Sequence, residues 1–410
     1  MAGWNVFFGR KNNTNPFTDF NGKNITAGCV SGLLAIISVP VIILQAAENG
    51  SFTNEQTISW MLAMYIFGGL FSVLVPLYYR MPIVGASSIT GIAFLATVTG
   101  QFSYHELVGA YVLTGLLMLI VGYFGFFKKL IEYVPKEIIA AMLAGMIMKY
   151  MTNFIVSISQ MALIGILSLV VFFVFSYKKM RVPPLIAAVG TAFILLLVTY
   201  PLHVSGGASA FVVPAVQMPS FSVLGFLSVA IPLALLILSN DAAVGIGAIE
   251  QNDYHLPVNQ LVSLGGIFTI CAGFFGGISA NVAGMMSAIC ADEEAGPYEK
   301  RYIGAVISGL ILITFGLLSW KLVPFIQALP ADFVAILVGL SLLGVFGNSL
   351  HISFSKPELK MSAAFAFIIA ASGITLFNIS APVWSLLVGT FIARKMETKR
   401  GKAELRKQTA

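Results

Sequence analysis

The sequence predicts an all-α integral membrane protein of about fourteen transmembrane segments, arranged as two inverted repeats of seven. Three observations predict it. Only 10% of its 410 residues are charged while 58% are hydrophobic, against about 25% charged residues in soluble domains. Apolar runs of spanning length, roughly 20 residues, recur from end to end, among them "AGCVSGLLAIISVPVIILQAA" and "LVGAYVLTGLLMLIVGYFGFF". Finally, motifs of the first half return in the second.

Taken in order, the apolar runs give spans at 25–46, 57–78, 82–99, 106–126, 131–150, 155–176, 182–200, 221–249, 257–274, 277–291, 302–324, 331–350, 359–377 and 380–396. A polar stretch, 1–24, precedes them without the charged-then-apolar pattern of a cleaved signal. The domain division that follows is a tail at 1–24, repeat 1 at 25–200, a linker at 201–220, repeat 2 at 221–396 and a basic tail at 397–410. With the N-terminus inside, Arg10, Lys11 and Lys23, then Arg80, Lys128, Lys129, Lys178, Lys179 and Arg181, all fall on the cytoplasmic side. Of the 23 basic residues only Lys149 and Lys321 fall outside, which is the bias expected of a correctly oriented membrane protein. The net charge of +6 therefore sets orientation and implies no nucleic-acid partner. Both termini are expected in the cytoplasm and the protein in the cell (cytoplasmic) membrane, its immediate partner being the lipid bilayer.

The repeat rests on three correspondences. Pro40 in "SVPVIIL" matches Pro232 in "VAIPLALL", and Ser87 in "GASSITG" matches Ser279 in "GISANVAG". "PKEIIA" from Pro135 matches "PADFVA" from Pro330. Seven spans per half is an odd number, so the second half inserts upside down relative to the first. Inverted repeats recur in secondary transporters, with the substrate site near the midplane at the repeat interface.

Spans three and ten correspond in the two halves and contain "VGASSITG" (84–91) and "FGGISANVAG" (275–284). Both are short, rich in glycine and hydroxyl or amide side chains, and expected to be broken. Irregular backbone at membrane depth must be buried in protein or line a wet cavity, and a broken helix directs its N-terminal N–H groups at whatever occupies the break. Close packing through small residues would account for the same composition, but recurrence at matching repeat positions favours a binding site. The candidate substrate-binding residues are Ser87, Ser88, Thr90, Gly91, Gly277, Ser279 and Asn281, with Asn240 and Gln45 as further hydrogen-bonding candidates.

Asp241 is the candidate coupling residue. It is the one charged residue between Arg181 and Glu250. A carboxylate inside a span costs about 2.5–3.5 kcal/mol, and such residues mark ion or proton paths. A span ending near Ser239 would leave Asp241 at the interface, but the apolar "AAVGIGAI" that follows suits a longer helix. Desolvation there opposes the charged form, which fits the carboxylate to take up and release a proton; a sodium ligand is the second role. The flanking Glu132 and Glu137 of span five, beside Lys136, read as solvated. Cys29, Cys271 and Cys290 show no metal-ligand spacing and are odd in number. No metal or organic cofactor is expected. Without a phosphate-binding loop, nucleophile elbow or metalloprotease motif, the chain does not read as an enzyme.

Three segments, "SWMLAMYIFGGLFSVLVPLYYRMPIVGASSITGIAFL" (59–95), "VPKEIIAAMLAGMI" (134–147) and "FFGGISANVAGMMSAICADEEAGPYEKRYIGAVISGLILITFGL" (274–317), resemble the benzoate/proton symporter (BenE) family. The similarity runs in order over most of the chain. That family belongs with the uracil and xanthine permeases and the sulfate-type anion transporters. The resemblance implies a core (spans 1–4 and 8–11) and a gate (spans 5–7 and 12–14) that move against each other in an elevator-like way. It also implies substrate held between spans three and ten, a coupling residue on span eight, and room for a homodimer. The chain departs from the family's pattern at Ser88-Ile89-Thr90-Gly91, which lacks the usual proline, at Ile278 in place of a histidine, and at Asn240-Asp241 in place of Gln-Asn.

The expectation is thus a secondary active transporter, proton-coupled, of a small-molecule substrate such as benzoate. A nucleobase symporter of the same fold, driven by protons or sodium, is the first alternative, since an acidic residue near this point of span eight is functional in those permeases. An uncoupled, channel-like anion conduit is the second.

Overall fold

Helices carry most of the described chain, because within a bilayer every backbone N–H and C=O must be satisfied inside its own segment. The computed structural model describes residues 16, 18–127, 129, 133–178, 182–200, 215–278, 280–376 and 379–397. Helix α1 (Gly22–Asn49) starts on a reciprocal cap between Asn21 and Asn24. Capping boxes from Thr53 to Gln56 and from Ser103 to Glu106 start α2 (Asn54–Tyr79) and α4 (Tyr104–Tyr123). Such caps satisfy orphan N–H groups at the helix starts. Between them lies strand β1 (Gly85–Ala86), followed by the short α3 (Ile89–Val98). Helices α5 (Lys136–Gln160), α6 (Ala162–Tyr177) and α7 (Pro184–Thr199) complete the first half.

In the second half, α8 runs over Val223–Glu250 with π-helical stretches at Phe226–Ala230 and Ile237–Ala242. After α9 (Val258–Phe274) the chain breaks again into strand β2 (Asn281–Val282) and the short α10 (Gly284–Ala291). Helices α11 (Tyr302–Leu317), α12 (Ser319–Gln327), α13 (Ala331–Ser353), α14 (Lys360–Ser372) and α15 (Ala381–Ile392) follow. A small hairpin, β3 (Thr375–Leu376) with β4 (Ile379–Ser380), joins the last two. Among the described residues, seven helices are long and apolar enough to cross a membrane.

Several boundaries differ from the sequence expectation. The expected span 131–150 is a helix only from Lys136 but continues to Gln160, because Pro135 suits a helix start and no breaker follows it. The span expected at 155–176 accordingly begins at Ala162. The run 302–324 divides at Leu318 into α11 and α12, just before the polar Ser319 and Lys321. The span expected at 359–377 ends as a helix at Ser372, where Gly373 adopts the left-handed conformation (φ 63).

The helices pack in two groups. Pairs α4–α9, α2–α11, α1–α11 and α8–α10 make one, with α3 against α1; pairs α5–α13, α5–α14, α14–α15 and α6–α7 make the other. The groups meet where α1 touches α13 and α7, where α3 touches α5, and where β4 and α15 touch the first π-helical stretch of α8. The repeated Pro-x-acid motifs begin α5 and α13. Glu137 of the first is fully buried and pairs with Lys356, just past the end of α13, at 2.8 Å. Asp332 of the second accepts a hydrogen bond from Ser157, near the end of α5, at 3.1 Å. Each acid at the start of one helix therefore meets the end of the other, so the two run antiparallel. Glu137 is not solvated as expected, since its side chain turns inward onto a lysine contributed by a distant part of the chain. Glu132 lies outside the described residues.

Candidate functional site

The two chain breaks cross each other. Strands β1 and β2 pair antiparallel, Gly85 opposite Val282 and Ala86 opposite Asn281. The crossing is pinned beside the strands, where Ala283 N–H donates to the Val84 carbonyl at 2.9 Å and Val84 N–H donates to Ser287 Oγ at 3.1 Å. Its glycines are there for close approach. A Cβ on Gly85 would lie 2.8 Å from the Gly68 carbonyl of α2, and one on Gly277 would lie 2.9 Å from Met64 N. We expect Gly277→Ala, which must push backbone from backbone, to destabilise the protein by about 1–3 kcal/mol. Gly91→Ala should cost less, because its nearest contact is the mobile end of Leu233 at 2.7 Å. Thermal unfolding of the two purified variants checks the ranking.

Helix α3 starts on this crossing. Ser88 is its N-cap, with Oγ accepting from Gly91 N–H at 2.8 Å. The Ser88 hydroxyl also donates to Asp241 Oδ2. Thr90 Oγ1 donates to the same oxygen at 3.2 Å and lies 3.0 Å from Ser88 Oγ. A carboxylate on α8 thus sits at the N-terminal end of α3, held by two hydroxyls. Ser88 and Thr90 are buried, whereas Asp241 keeps partial exposure.

The local backbone of α8 assists. Asn240 and Asp241 lie in its second π-helical stretch, a deviation that often accompanies functional sites. Two buried amide atoms nearby have no hydrogen-bond partner: Nδ2 of Asn240 and Oδ1 of Asn281. Strand β2, which carries Asn281, packs directly on that π stretch. Unused amide groups in a buried setting are costly.

Of the residues singled out from the sequence, Ser88, Thr90, Gly91, Asn240, Asp241 and Asn281 come together at or beside the crossing, with Ser87 partly exposed next to Ser88. Gly277 precedes β2 and packs on α2. Ser279 lies outside the described residues. Gln45 does not join them: its Nε2 donates to Asn49 at 3.3 Å, and Asn49 in turn donates to the carbonyl of Ala96. Ala96 is eight positions along α3 from Ser88, roughly 12 Å at helical rise. Sequence reasoning missed the two π-helical stretches. The visible signal is Pro232, which removes one backbone donor between them.

Comparison with known proteins gives the family. The profile of the family described as "BenE: Benzoate membrane transport protein" matches residues 18–394. The inner membrane protein YdcO of Escherichia coli (strain K12) is 30% identical over 89% of this chain and 93% of its own length. The benzoate membrane transport protein of Acinetobacter baylyi is 27% identical over 88% of this chain and 92% of its own. Among solved structures, the transmembrane domain of the cyanobacterial bicarbonate transporter BicA matches with a TM-score of 0.59 at 15% identity, covering 90% of this chain and 98% of that one. The murine anion transporter Slc26a9, in its inward-facing state, matches with a TM-score of 0.60 at 13% identity, over 91% of this chain and 68% of that one. At those identities the structural likeness speaks for the fold alone. The sequence match covers nearly the whole chain, and the chain belongs to the benzoate membrane transport protein (BenE) family of membrane transporters.

Proposed function

We propose that this transporter is a proton-coupled symporter of a small aromatic carboxylate such as benzoate. The observation that carries the reading is the Asp241 carboxylate docked on the Ser88 and Thr90 hydroxyls at the start of α3. In that position Asp241 is a resident anion occupying the groups a substrate carboxylate would use. While it is charged, a second carboxylate meets both repulsion and occupied donors. A proton on Asp241 removes the charge and frees the hydroxyls, so proton and substrate anion enter together. Asn240 supplies a further hydrogen bond to the substrate carboxylate from its unused Nδ2.

The wider architecture follows the same reading. The chain would hold fourteen segments in two inverted repeats, with α1–α4 and α8–α11 as a core and α5–α7 and α13–α15 as a gate. Antiparallel pairing of β1 with β2, and the reciprocal contacts of Glu137 and Asp332, support the inversion. The sparse meeting of the two helix groups supports movement of one against the other. Both termini would face the cytoplasm, as the placement of the basic residues requires.

Competition for labelled benzoate uptake into proteoliposomes tests the substrate class. Unlabelled benzoate should block uptake and uracil should leave it intact. The reverse pattern would make the protein a nucleobase symporter, and steady current without accumulation would make it a conduit. Within the site, Ser88→Ala should lower kcat/KM for uptake by on the order of ten- to a hundredfold, the weight of one hydrogen bond to a charged group. Thr90→Val should be milder, in keeping with its longer contact.

A further inference from the structure

Away from the crossing, the seam between the two helix groups opens into a cavity of about 510 Å³. That is within the range of small-molecule sites, roughly 300–1,000 Å³. Its apolar walls include Phe52, Leu329 and Val334, and its polar lining includes Gln45, Glu48 and Gln327. Glu48 is the one ionisable side chain in that lining, which contains no Lys, Arg or His. The Phe52 wall is built in place. Its ring lies 5.4 Å from that of Trp60 and meets Tyr104 edge-on at 5.0 Å. The turn that delivers it holds Ser51 in the left-handed region (φ 52). A side chain on Gly50 would collide with the Phe52 ring, 2.6 Å from Cε1. Strain of this kind at a non-glycine residue persists only where surrounding contacts enforce it.

We infer that this cavity is a binding site for small organic cations with an aromatic or aliphatic body, separate from the substrate crossing. A quaternary ammonium group is attracted to an aromatic face, and a neighbouring carboxylate adds opposite charge. The amide oxygens of Gln45 and Gln327 add partial negative charge, and the apolar walls accept the body of the guest. An aromatic carboxylate would meet Glu48 as a like charge, so the cavity does not duplicate the substrate site. The guest would also touch α1 on one side and Val334 of α13 on the other, the two helix groups that the proposed core-against-gate movement displaces. Among the described residues the hydrogen bond from Gln327 to Asn54, at 3.1 Å, ties α12 to the start of α2 beside this opening. Occupancy should therefore hold the groups together and inhibit uptake. That consequence rests on the transport reading above, whereas binding does not.

The test is calorimetric titration of benzyltrimethylammonium into the purified full-length protein in detergent, where both faces are accessible. The expected result is one saturable site, weakened by about tenfold or more in Glu48→Gln, since tenfold corresponds to only about 1.4 kcal/mol. Filling the cavity with Val334→Trp should abolish binding. No saturable binding, or equal affinity in wild type and Glu48→Gln, would overturn the site. Binding that leaves benzoate uptake unaffected would keep the site and overturn the core-against-gate movement instead.

Discussion

Lys356→Ala is expected to destabilise the purified protein by on the order of 3 kcal/mol, the lower end of the range for breaking a buried ion pair. The reason lies with its partner. Glu137 is fully buried, and both of its oxygens lack a well-aligned hydrogen bond, leaving the Lys356 ammonium at 2.8 Å as the compensating charge. The lysine itself is half in solvent, with a side chain 55% exposed, which places the effect low in the range. Removing it strands a carboxylate between α5 and α13 at the joint between their ends. The double variant Glu137→Gln with Lys356→Ala should recover most of the loss, because a neutral amide costs far less to bury than an unpaired charge. Thermal unfolding of the two variants and the wild type measures this directly. Equal stability of Lys356→Ala and wild type would remove Glu137 from the list of paired buried charges.

Asp241→Asn is expected to abolish gradient-driven accumulation while sparing exchange. The amide keeps the size and one acceptor of the carboxylate but removes its charge, so it mimics the protonated state permanently. Substrate anion can then bind at any pH, and nothing links its movement to a proton. One pH unit is worth about 1.4 kcal/mol, so a one-to-one symporter can sustain about tenfold accumulation from it. In the variant that ratio should fall to one, while counterflow of labelled against unlabelled benzoate continues. Loss of counterflow together with accumulation would assign Asp241 to substrate binding and move coupling elsewhere.

Much of this site could be read from the chain, for identifiable reasons. A lone carboxylate in a long apolar run carries a large desolvation penalty, so Asp241 stood out without any knowledge of its partners. Glycine with hydroxyl and amide residues at corresponding places in two halves identified the crossing, and the structure brings Ser88, Thr90 and Asn281 close to Asp241 there. What stayed hidden depends on tertiary geometry. Glu137, next to Lys136, has the local pattern of a solvated helix start, and only folding brings Lys356 to it. The π-helical register of α8 is a matter of backbone hydrogen bonds, which apolar composition does not encode. Gln45 shares its chemistry with the binding residues, but a side chain's depth along its helix decides whether it reaches the crossing, and Gln45 sits toward the far end of α3. The division of α11 from α12 has a local mark in the polar Ser319 and Lys321 just after Leu318, but two polar residues in an otherwise apolar run are compatible with one continuous span.

The most direct test of proton coupling is labelled benzoate uptake by the wild-type protein in proteoliposomes, with an inward proton gradient, with a sodium gradient of equal size, and with neither. Accumulation above equilibrium is expected with the proton gradient alone, collapsing when a protonophore is added. Accumulation driven by sodium, or uptake that only equilibrates under every condition, would contradict proton coupling.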